Sequence, residues 1–191
     1  MTRPIHPIEV ESYGILAERI DLSHLPPGVR AVVARVIHAS ADLEYAETMR
    51  VPEDAVTAGV EAIRTGAPVV TDVEMTRAGI TGVVDARCYL GQGDGLTRSA
   101  AGIRHAAELH PHGAVVVIGC APTALNEALT CSWQPALIIG MPVGFVGAAA
   151  AKEAARASGL PVITNVGEKG GAGVAAAACN AIVRMAHGEP R

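Results

Sequence analysis

Aromatic residues are scarce in this chain: its 191 residues include one Trp, one Phe and three Tyr. Hydrophobic residues still make up 50% of the sequence, so we expect a core of aliphatic side chains and alanine. The scarcity of rings excludes an aromatic stacking platform for single-stranded nucleic acid. A formal net charge of -4 argues against a protein that binds the phosphate backbone, because such proteins usually carry a basic patch. We therefore expect no nucleic-acid partner.

Long uninterrupted hydrophobic stretches are also lacking. Residues 131–151 carry no charge and have the length of a membrane span. Pro135, Pro142 and several glycines interrupt this stretch, which predicts a short strand, a turn and the start of a helix instead. The first nine residues contain no apolar segment of the kind found in signal peptides. We expect a soluble protein without a membrane partner, folded as a single domain over residues 1–191.

The four cysteines, Cys88, Cys120, Cys131 and Cys179, show no C-x-x-C spacing and lie in apolar sequence surroundings. This pattern favours reduced, buried thiols over disulfides or a zinc site. We therefore predict a cytoplasmic protein and no structural metal.

Residues 1–66 predict a helical segment. A second helix is predicted from Pro26 and Pro27, because proline at the first helical position loses no hydrogen bond, and a third covers residues 52–64. The second helix is expected to be buried along much of its girth, with Arg30 and Arg35 outside. The apolar residues behind these predictions are Ile8, Tyr13, Ile15, Leu16 and Ile20 in the first helix and Val29, Val32, Val33, Val36 and Ile37 in the second.

From residue 67 onwards, short β-branched runs alternate with alanine-rich stretches. Continuous apolar runs predict strands covered on both faces, and their alternation with helices predicts a parallel sheet. We expect an α/β fold: a three-layer α/β/α sandwich with a mainly parallel five-stranded sheet, on which the helical segment 1–66 packs. Ligands in such folds bind beyond the carboxyl ends of the strands. The predicted strands are residues 68–72, 82–87, 114–118, 136–139 and 160–164.

Several loops after these strands have features of an anion site. Pro122 begins a helix whose backbone N–H groups are able to receive an anion, although an ordinary strand-to-helix connection explains the same residues equally well. Residues 140–147 and 167–173 are rich in glycine, which lets a ligand approach the backbone. No P-loop pattern occurs, and Leu96 stands where a dinucleotide fingerprint at residues 91–95 needs its third glycine. The loops indicate a site for an anionic small molecule.

His38 ends the second predicted helix. A helix carboxyl end carries partial negative charge and favours the imidazolium, so His38 is a candidate proton donor whose tautomer Asp42 is able to fix. A helix-capping histidine is the alternative interpretation. Arg77, Arg87 and Arg98 follow predicted strands and are candidates to clamp carboxylates, with solvated surface charges as the alternative.

Short segments spread over nearly the whole chain form a further pattern. They are residues 7–15 (PIEVESYGI), 36–42 (VIHASAD), 70–80 (VTDVEMTRAGI), 97–101 (TRSAA), 119–125 (GCAPTAL), 142–147 (PVGFVG) and 169–171 (KGG). In this order they resemble the precorrin-8X methylmutases of corrin biosynthesis. The resemblance implies an isomerase that moves a methyl group from carbon 11 to carbon 12 of a tetrapyrrole, either precorrin-8X or cobalt-precorrin-8. It also implies a homodimer with active sites at the subunit interface, and no cofactor.

The resemblance also implies roles for individual residues. His38 matches the family's catalytic histidine, which protonates the macrocycle, and Ser12 matches a serine that forms a hydrogen bond near the substrate. Arg98 is expected to clamp a substrate carboxylate. The other residues that we assign to substrate binding are Tyr13, Arg77, Arg87, Thr123, Lys169, Gly170 and Gly171.

The sequence departs from the family pattern in the predicted anion loops. Cys120 stands where Asn is usual, and residues 167–172 read Gly-Glu-Lys-Gly-Gly-Ala where Gly-Arg-Lys-Gly-Gly-Ser is usual. Glu168 in place of an arginine would repel a polycarboxylate, and Val166 and Ala41 also differ from the pattern. Two alternatives therefore remain beside the isomerase: a non-enzymatic corrinoid-binding protein or carrier on the same fold, and a nucleotide-binding α/β domain.

Overall fold

A computed structural model describes residues 6–81, 84–91 and 95–188 of the chain. Within these ranges the helices are α1 Pro7–Arg19, α2 Pro27–Ser40, α3 Tyr45–Thr48, α4 Glu53–Arg64, α5 Glu74–Gly79, α6 Arg98–Leu109, α7 Pro122–Thr130, α8 Ala148–Ala157 and α9 Ala172–Ala186. The strands are β1 Met49–Arg50, β2 Val69–Thr71, β3 Ala86–Cys88, β4 Val115–Ile118, β5 Leu137–Gly140 and β6 Val162–Asn165. The first two residues of the predicted strand 82–87, and the middle of residues 91–95, lie outside the described ranges.

The strands form one sheet in the order β1-β6-β5-β4-β2-β3. Strands β2 to β6 pair in parallel with one another, which confirms the predicted, mainly parallel sheet. A sixth strand, β1, was not predicted from the sequence; it pairs antiparallel with β6 through Met49 and Asn165. Its two residues are too few to produce a β-branched run.

Helices cover both faces of the sheet, which confirms the three layers. Successive strand residues point to opposite faces, so each strand contributes to two cores. The core beneath α2, α4 and α9 receives Val69, Val115, Val117, Leu137, Ile139 and Ile163. The core beneath α6, α7 and α8 receives Val70, Val116, Ile118, Ile138 and Val162.

Helix α2 begins at Pro27 and buries the five apolar residues that the sequence analysis assigned to its inner face. Helix α1 differs from its prediction, because its apolar residues do not share one face. Leu16 and Ile20 pack against the core, whereas the side chains of Ile8 and Ile15 are 68% and 43% exposed. At 100° per residue, Ile8 and Ile15 lie roughly a third of a turn away from Leu16 and Ile20. One side of α1 therefore stays uncovered.

The uncharged stretch 131–151 contains β5, a turn and the start of α8, as predicted. No helix among the described residues has the length and apolar character needed to cross a membrane.

The carboxyl ends of β5 and β6 bring two glycine-rich loops together. The amide of Gly171 donates to the carbonyl of Met141 at 2.9 Å, and the amide of Gly144 donates to the carbonyl of Glu168 at 3.1 Å. Farther along the same edge, the hydroxyls of Thr97 and Thr123 lie 2.8 Å apart. The loops that the sequence analysis singled out are thus assembled at one edge of the sheet.

Helix α6 lies so close to the segment after β3 that Gly102 leaves no room for a side chain. A Cβ at this position would lie 2.4 Å from the carbonyl oxygen of Tyr89. We expect Gly102→Ala to lower the free energy of unfolding by about 1–3 kcal/mol, because backbone cannot yield as a flexible side chain can. Denaturation in urea measures the change. Gly173→Ala, where a Cβ meets nothing within 4 Å, is the control, and equal stability of the two variants would contradict this close approach.

Candidate active site

His38 lies in the last turn of α2, and Ser12 of α1 lies directly against it. The Ser12 hydroxyl is 2.8 Å from the imidazole Nδ1. The ring of Tyr13 stacks on the same imidazole, with centroids 4.8 Å apart and an angle of 7° between the planes. A neutral imidazole that accepts a hydrogen bond from the hydroxyl at Nδ1 carries its own proton on Nε2. The structure therefore joins Ser12, Tyr13 and His38, which the sequence analysis had placed in one site.

The predicted partner of His38, Asp42, is engaged elsewhere. Its carboxylate accepts hydrogen bonds from the Lys169 ammonium at 2.7 Å and from the Glu44 amide at 3.0 Å. The cause is Ala41, which lies between His38 and Asp42 in the sequence. It ends α2 in the left-handed conformation, with φ of 54°. The chain leaves the helix there, so Asp42 does not lie one helical turn beyond the imidazole. The expectation that Asp42 fixes the tautomer was wrong, and Ser12 takes that place.

Charges on three helices surround the imidazole. Oε1 of Glu9 accepts hydrogen bonds from Arg35 at 2.7 Å and from Arg184 at 2.6 Å. Arg35 was expected to lie outside, but its side chain is only 20% exposed because it reaches across to α1.

These surroundings reverse the electrostatic expectation for His38. Burial lowers the pKa of His38, the charge of Arg35 lowers it further, and the carboxylate of Glu9 opposes this in part. The helix carboxyl end alone would have raised the pKa. The imidazole is consequently a weaker base than a free histidine, and once protonated it is a stronger acid.

A cavity of about 420 Å³ opens next to Tyr13, between α1, α2 and α9. Its walls are mostly apolar, and Arg30, Arg35 and Arg184 are among the residues that line it, together with Asp21. Apolar walls with convergent cationic groups suit an apolar body that carries carboxylates. The cavity lies within the helical layer, not at the strand ends where the sequence analysis placed the ligand.

Lys169 is held by the protein's own carboxylates. Its ammonium forms ion pairs with Asp42, at 2.7 Å, and with Glu44. These two hydrogen bonds raise the pKa of Lys169 above its ordinary value. The positive charge of Lys169, which was predicted to bind a substrate anion, is thus compensated by two carboxylates of the same chain.

The glycines after Lys169 are needed for packing. A Cβ at Gly170 would lie 2.3 Å from the carbonyl oxygen of Met141, and Gly170 and Gly171 both have positive φ.

A buried lysine also holds this loop: the ammonium of Lys152 donates to the carbonyl of Lys169 at 2.5 Å. Burial lowers the pKa of Lys152 to about 8, and the nearby charge of Arg156 adds to this effect. The loop is therefore fixed by its own contacts.

Asp72, which follows β2, occupies the predicted anion site before α7. Its carboxylate accepts hydrogen bonds from the amides of Gly119, Cys120 and Ala121 at 3.2, 2.8 and 3.0 Å. It also accepts one from the Thr76 hydroxyl at 2.9 Å. The turn that opens α7 already receives a carboxylate from the same chain, which favours the alternative of an ordinary connection. This role of Asp72 was not predicted from the sequence.

The three candidate arginines have different surroundings. Arg77 pairs with Glu74, and Arg87 pairs with Asp85; both guanidinium groups are about half exposed, which matches the alternative of solvated charges. Arg98 is the exposed first residue of α6. Its neighbour Thr97 caps α6 and contacts Thr123, so the structure places Arg98 near Thr123. Within the described ranges, no hydrogen bond or ion pair joins this group to His38.

Glu9 and Arg184 were not identified from the sequence. A signal for Glu9 was present, because Glu9 precedes Ser12 by three residues, just as Arg35 precedes His38. Residues three apart on a helix are neighbours on its surface. In the described residues, no three His, Cys, Asp or Glu side chains converge as metal ligands would.

Comparison with known proteins gives a consistent result. The family described as precorrin-8X methylmutase matches residues 7–185. A cobalt-precorrin-8 methylmutase of Methanothermobacter thermautotrophicus is 38% identical over 86% of this chain and 84% of its own length. A precorrin-8X methylmutase of Pseudomonas aeruginosa is 37% identical over 90% of this chain and 91% of its own. The crystal structure of a precorrin-8X methylmutase from Thermus thermophilus superposes with a TM-score of 0.87 at 33% identity, covering 96% of this chain and 98% of that one.

The hydrogen bonds of Asp72 lead to a stability prediction. We expect Asp72→Ala to lower the free energy of unfolding by about 2–4 kcal/mol, because three backbone N–H groups of a partly buried turn lose their acceptor. Chemical denaturation measures the change. The control is Asp85→Ala, which removes an exposed carboxylate paired with Arg87 and should change stability by less than about 0.5 kcal/mol. A similarly small effect at Asp72 would show that the turn does not depend on its carboxylate.

Proposed function

The chain belongs to the precorrin-8X methylmutase family and is an isomerase of cobalamin biosynthesis, and we propose that His38 is the proton donor of its reaction. The reaction moves a methyl group from carbon 11 to carbon 12 of the macrocycle, without net oxidation or reduction. An intramolecular rearrangement of this kind needs orientation of the substrate and a proton at the right atom. The observation that carries the proposal is the contact between Ser12 and His38 at 2.8 Å.

The geometry gives Ser12 and Tyr13 positioning roles. A serine hydroxyl donates to Nδ1 of a neutral imidazole and accepts from Nδ1 of an imidazolium. Ser12 is therefore able to hold His38 in both charge states while Nε2 carries the proton for the substrate. The stacked ring of Tyr13 fixes the plane of the imidazole. The lowered pKa of His38 favours release of the proton to the macrocycle.

Substrate binding is proposed to use the cavity beside Tyr13 and the group around Arg98. The apolar walls suit the macrocycle, and Arg30 and Arg35 at the cavity suit its carboxylates. Arg98 and Thr123 are proposed as further contacts. Arg77, Arg87 and Lys169, with Gly170 and Gly171, remain proposed contacts. A substrate carboxylate that binds Arg77, Arg87 or Lys169 would have to replace an existing ion pair.

We also propose that the enzyme is a cytoplasmic homodimer. The exposed side chains of Ile8 and Ile15 lie two turns apart on the side of α1 that borders Ser12, so a partner that covers them would come close to His38. This agrees with the interfacial active site that the resemblance implies. The cytoplasmic location is supported by the four cysteines, which are all free.

The catalytic role of His38 is tested with precorrin-8X and cobalt-precorrin-8, because relatives named for both substrates are almost equally similar to this chain. We expect the unmutated enzyme to convert at least one of them, with a change in absorption as the conjugation shifts. His38→Ala should lower the rate at least about 100-fold and still bind the substrate.

The control for this experiment is His112→Ala, which removes an exposed histidine and should leave the rate unchanged. A full rate in His38→Ala would exclude His38 as the donor. A wild-type protein that binds both tetrapyrroles and converts neither would be a corrinoid-binding protein or carrier. That second function is the one to compare, because Lys169 is already paired with Asp42 and Glu44 and so is not free to bind a substrate carboxylate.

The dimer is tested by placing charge on the uncovered side of α1. We expect the unmutated protein to sediment at twice the mass of one 19.5 kDa chain, and Ile8→Glu combined with Ile15→Glu to sediment as a monomer, because buried carboxylates are costly. Leu109→Glu, at an exposed leucine of α6, is the control and should leave the dimer intact. A monomeric wild-type protein, or a dimer that survives the double variant, would contradict this interface.

A further inference from the structure

Glu9 lies at the centre of an ion cluster that links three helices. Its Oε1 atom accepts from Arg35 of α2 at 2.7 Å and from Arg184 of α9 at 2.6 Å. The side chains of Glu9, Arg35 and Arg184 are 20%, 20% and 25% exposed, so solvent screens their charges less than at an open surface. The cluster forms only where α1 lies against both α2 and α9.

The cluster lies next to the pair that holds the imidazole. Glu9 precedes Ser12 by three residues on α1, and Arg35 precedes His38 by three residues on α2. Residues at this spacing are surface neighbours on a helix. The ion pair between Glu9 and Arg35 therefore lies next to the contact between Ser12 and His38, about one helical turn earlier on both helices.

We propose that Glu9 is a positioning residue for the reaction, which fixes α1 at the distance where Ser12 meets His38 and balances the two arginine charges beside the imidazole. The proposal rests on the proposed role of His38 as proton donor. Glu9 acts through its two arginines and through its own charge, and it forms no hydrogen bond with the imidazole.

The effect of each charge on His38 has a definite sign. The titratable and charged groups that face the imidazole are Glu9 and the stacked Tyr13 from α1, Arg35 from α2 and Arg184 from α9. After burial, which has the largest effect, Arg35 and Arg184 lower the pKa of His38 and Glu9 raises it. Loss of the Glu9 charge should therefore lower this pKa further, and loss of the Arg35 charge should raise it.

The test uses Glu9→Gln and Arg35→Gln in the full chain and follows the imidazole by NMR titration. The signal of His38 is identified by its absence in His38→Ala. We expect the midpoint of His38 to fall by about half a unit to one unit in Glu9→Gln and to rise by a similar amount in Arg35→Gln. One unit corresponds to a tenfold change in proton affinity.

The pH profile of the reaction gives a second readout. A protonated donor is present below its pKa and is lost as the pH rises through it. The alkaline limb of the profile should therefore move to lower pH in Glu9→Gln and to higher pH in Arg35→Gln. Opposite shifts distinguish an electrostatic role from general damage to the packing of α1, which would affect both variants alike.

The control is Glu11→Gln, which removes an exposed carboxylate of the same helix that pairs with no arginine in the described part of the chain. It should leave the midpoint of His38 unchanged. Shifts in the same direction for Glu9→Gln and Arg35→Gln, or no shift in either, would overturn the role of Glu9. A shifted midpoint with an unshifted rate profile would instead contradict His38 as the donor, so the two proposals fail separately.

Discussion

The packing of α2 on α9 fixes the imidazole on which the site depends. Both helices contribute buried residues to the same core, among them Ala175 and Ala178 of α9. Val32 and Val36 of α2 are fully buried at this contact. Shifting α2 would open a cavity in a close-packed core, at a cost of several kcal/mol. The carboxyl end of α2, and His38 with it, is therefore held rigidly.

Helix α1 completes the site by weaker means. None of its residues is buried, and its attachment combines the partly buried Leu16 and Ile20 with the polar contacts of Glu9 and Ser12. The hydrogen-bond partner of the imidazole thus belongs to the least buried helix of its layer. Helix α1 thus adds no buried residue of its own to the core, whereas the orientation of the imidazole depends on it through Ser12 and Tyr13.

The features that the sequence predicted correctly are those with a local signal. Continuous runs such as residues 115–118 predicted their strands, and the valines of α2 predicted its buried face. His38 was placed correctly at a helix end, but its partner Ser12 lies 26 positions away, and contacts between helices leave no periodic trace. Asp72 was missed for the same reason, since its acceptor role depends on a turn 47 to 49 residues later. Local pattern could predict the elements but not which polar groups they bring together.

The end of α2 explains why the charge on His38 depends on α1. Ala41 adopts a left-handed conformation that costs a non-glycine residue roughly 1–2 kcal/mol. Its amide donates to Ile37, and the Ser40 hydroxyl donates to Val36 and accepts from the amide of Asp42, which offsets this cost. Because the chain turns away here, the carboxylate of Asp42 pairs with Lys169. The charges that act on the imidazole are then those of Glu9, Arg35 and Arg184, so docking of α1 sets both its orientation and its acidity.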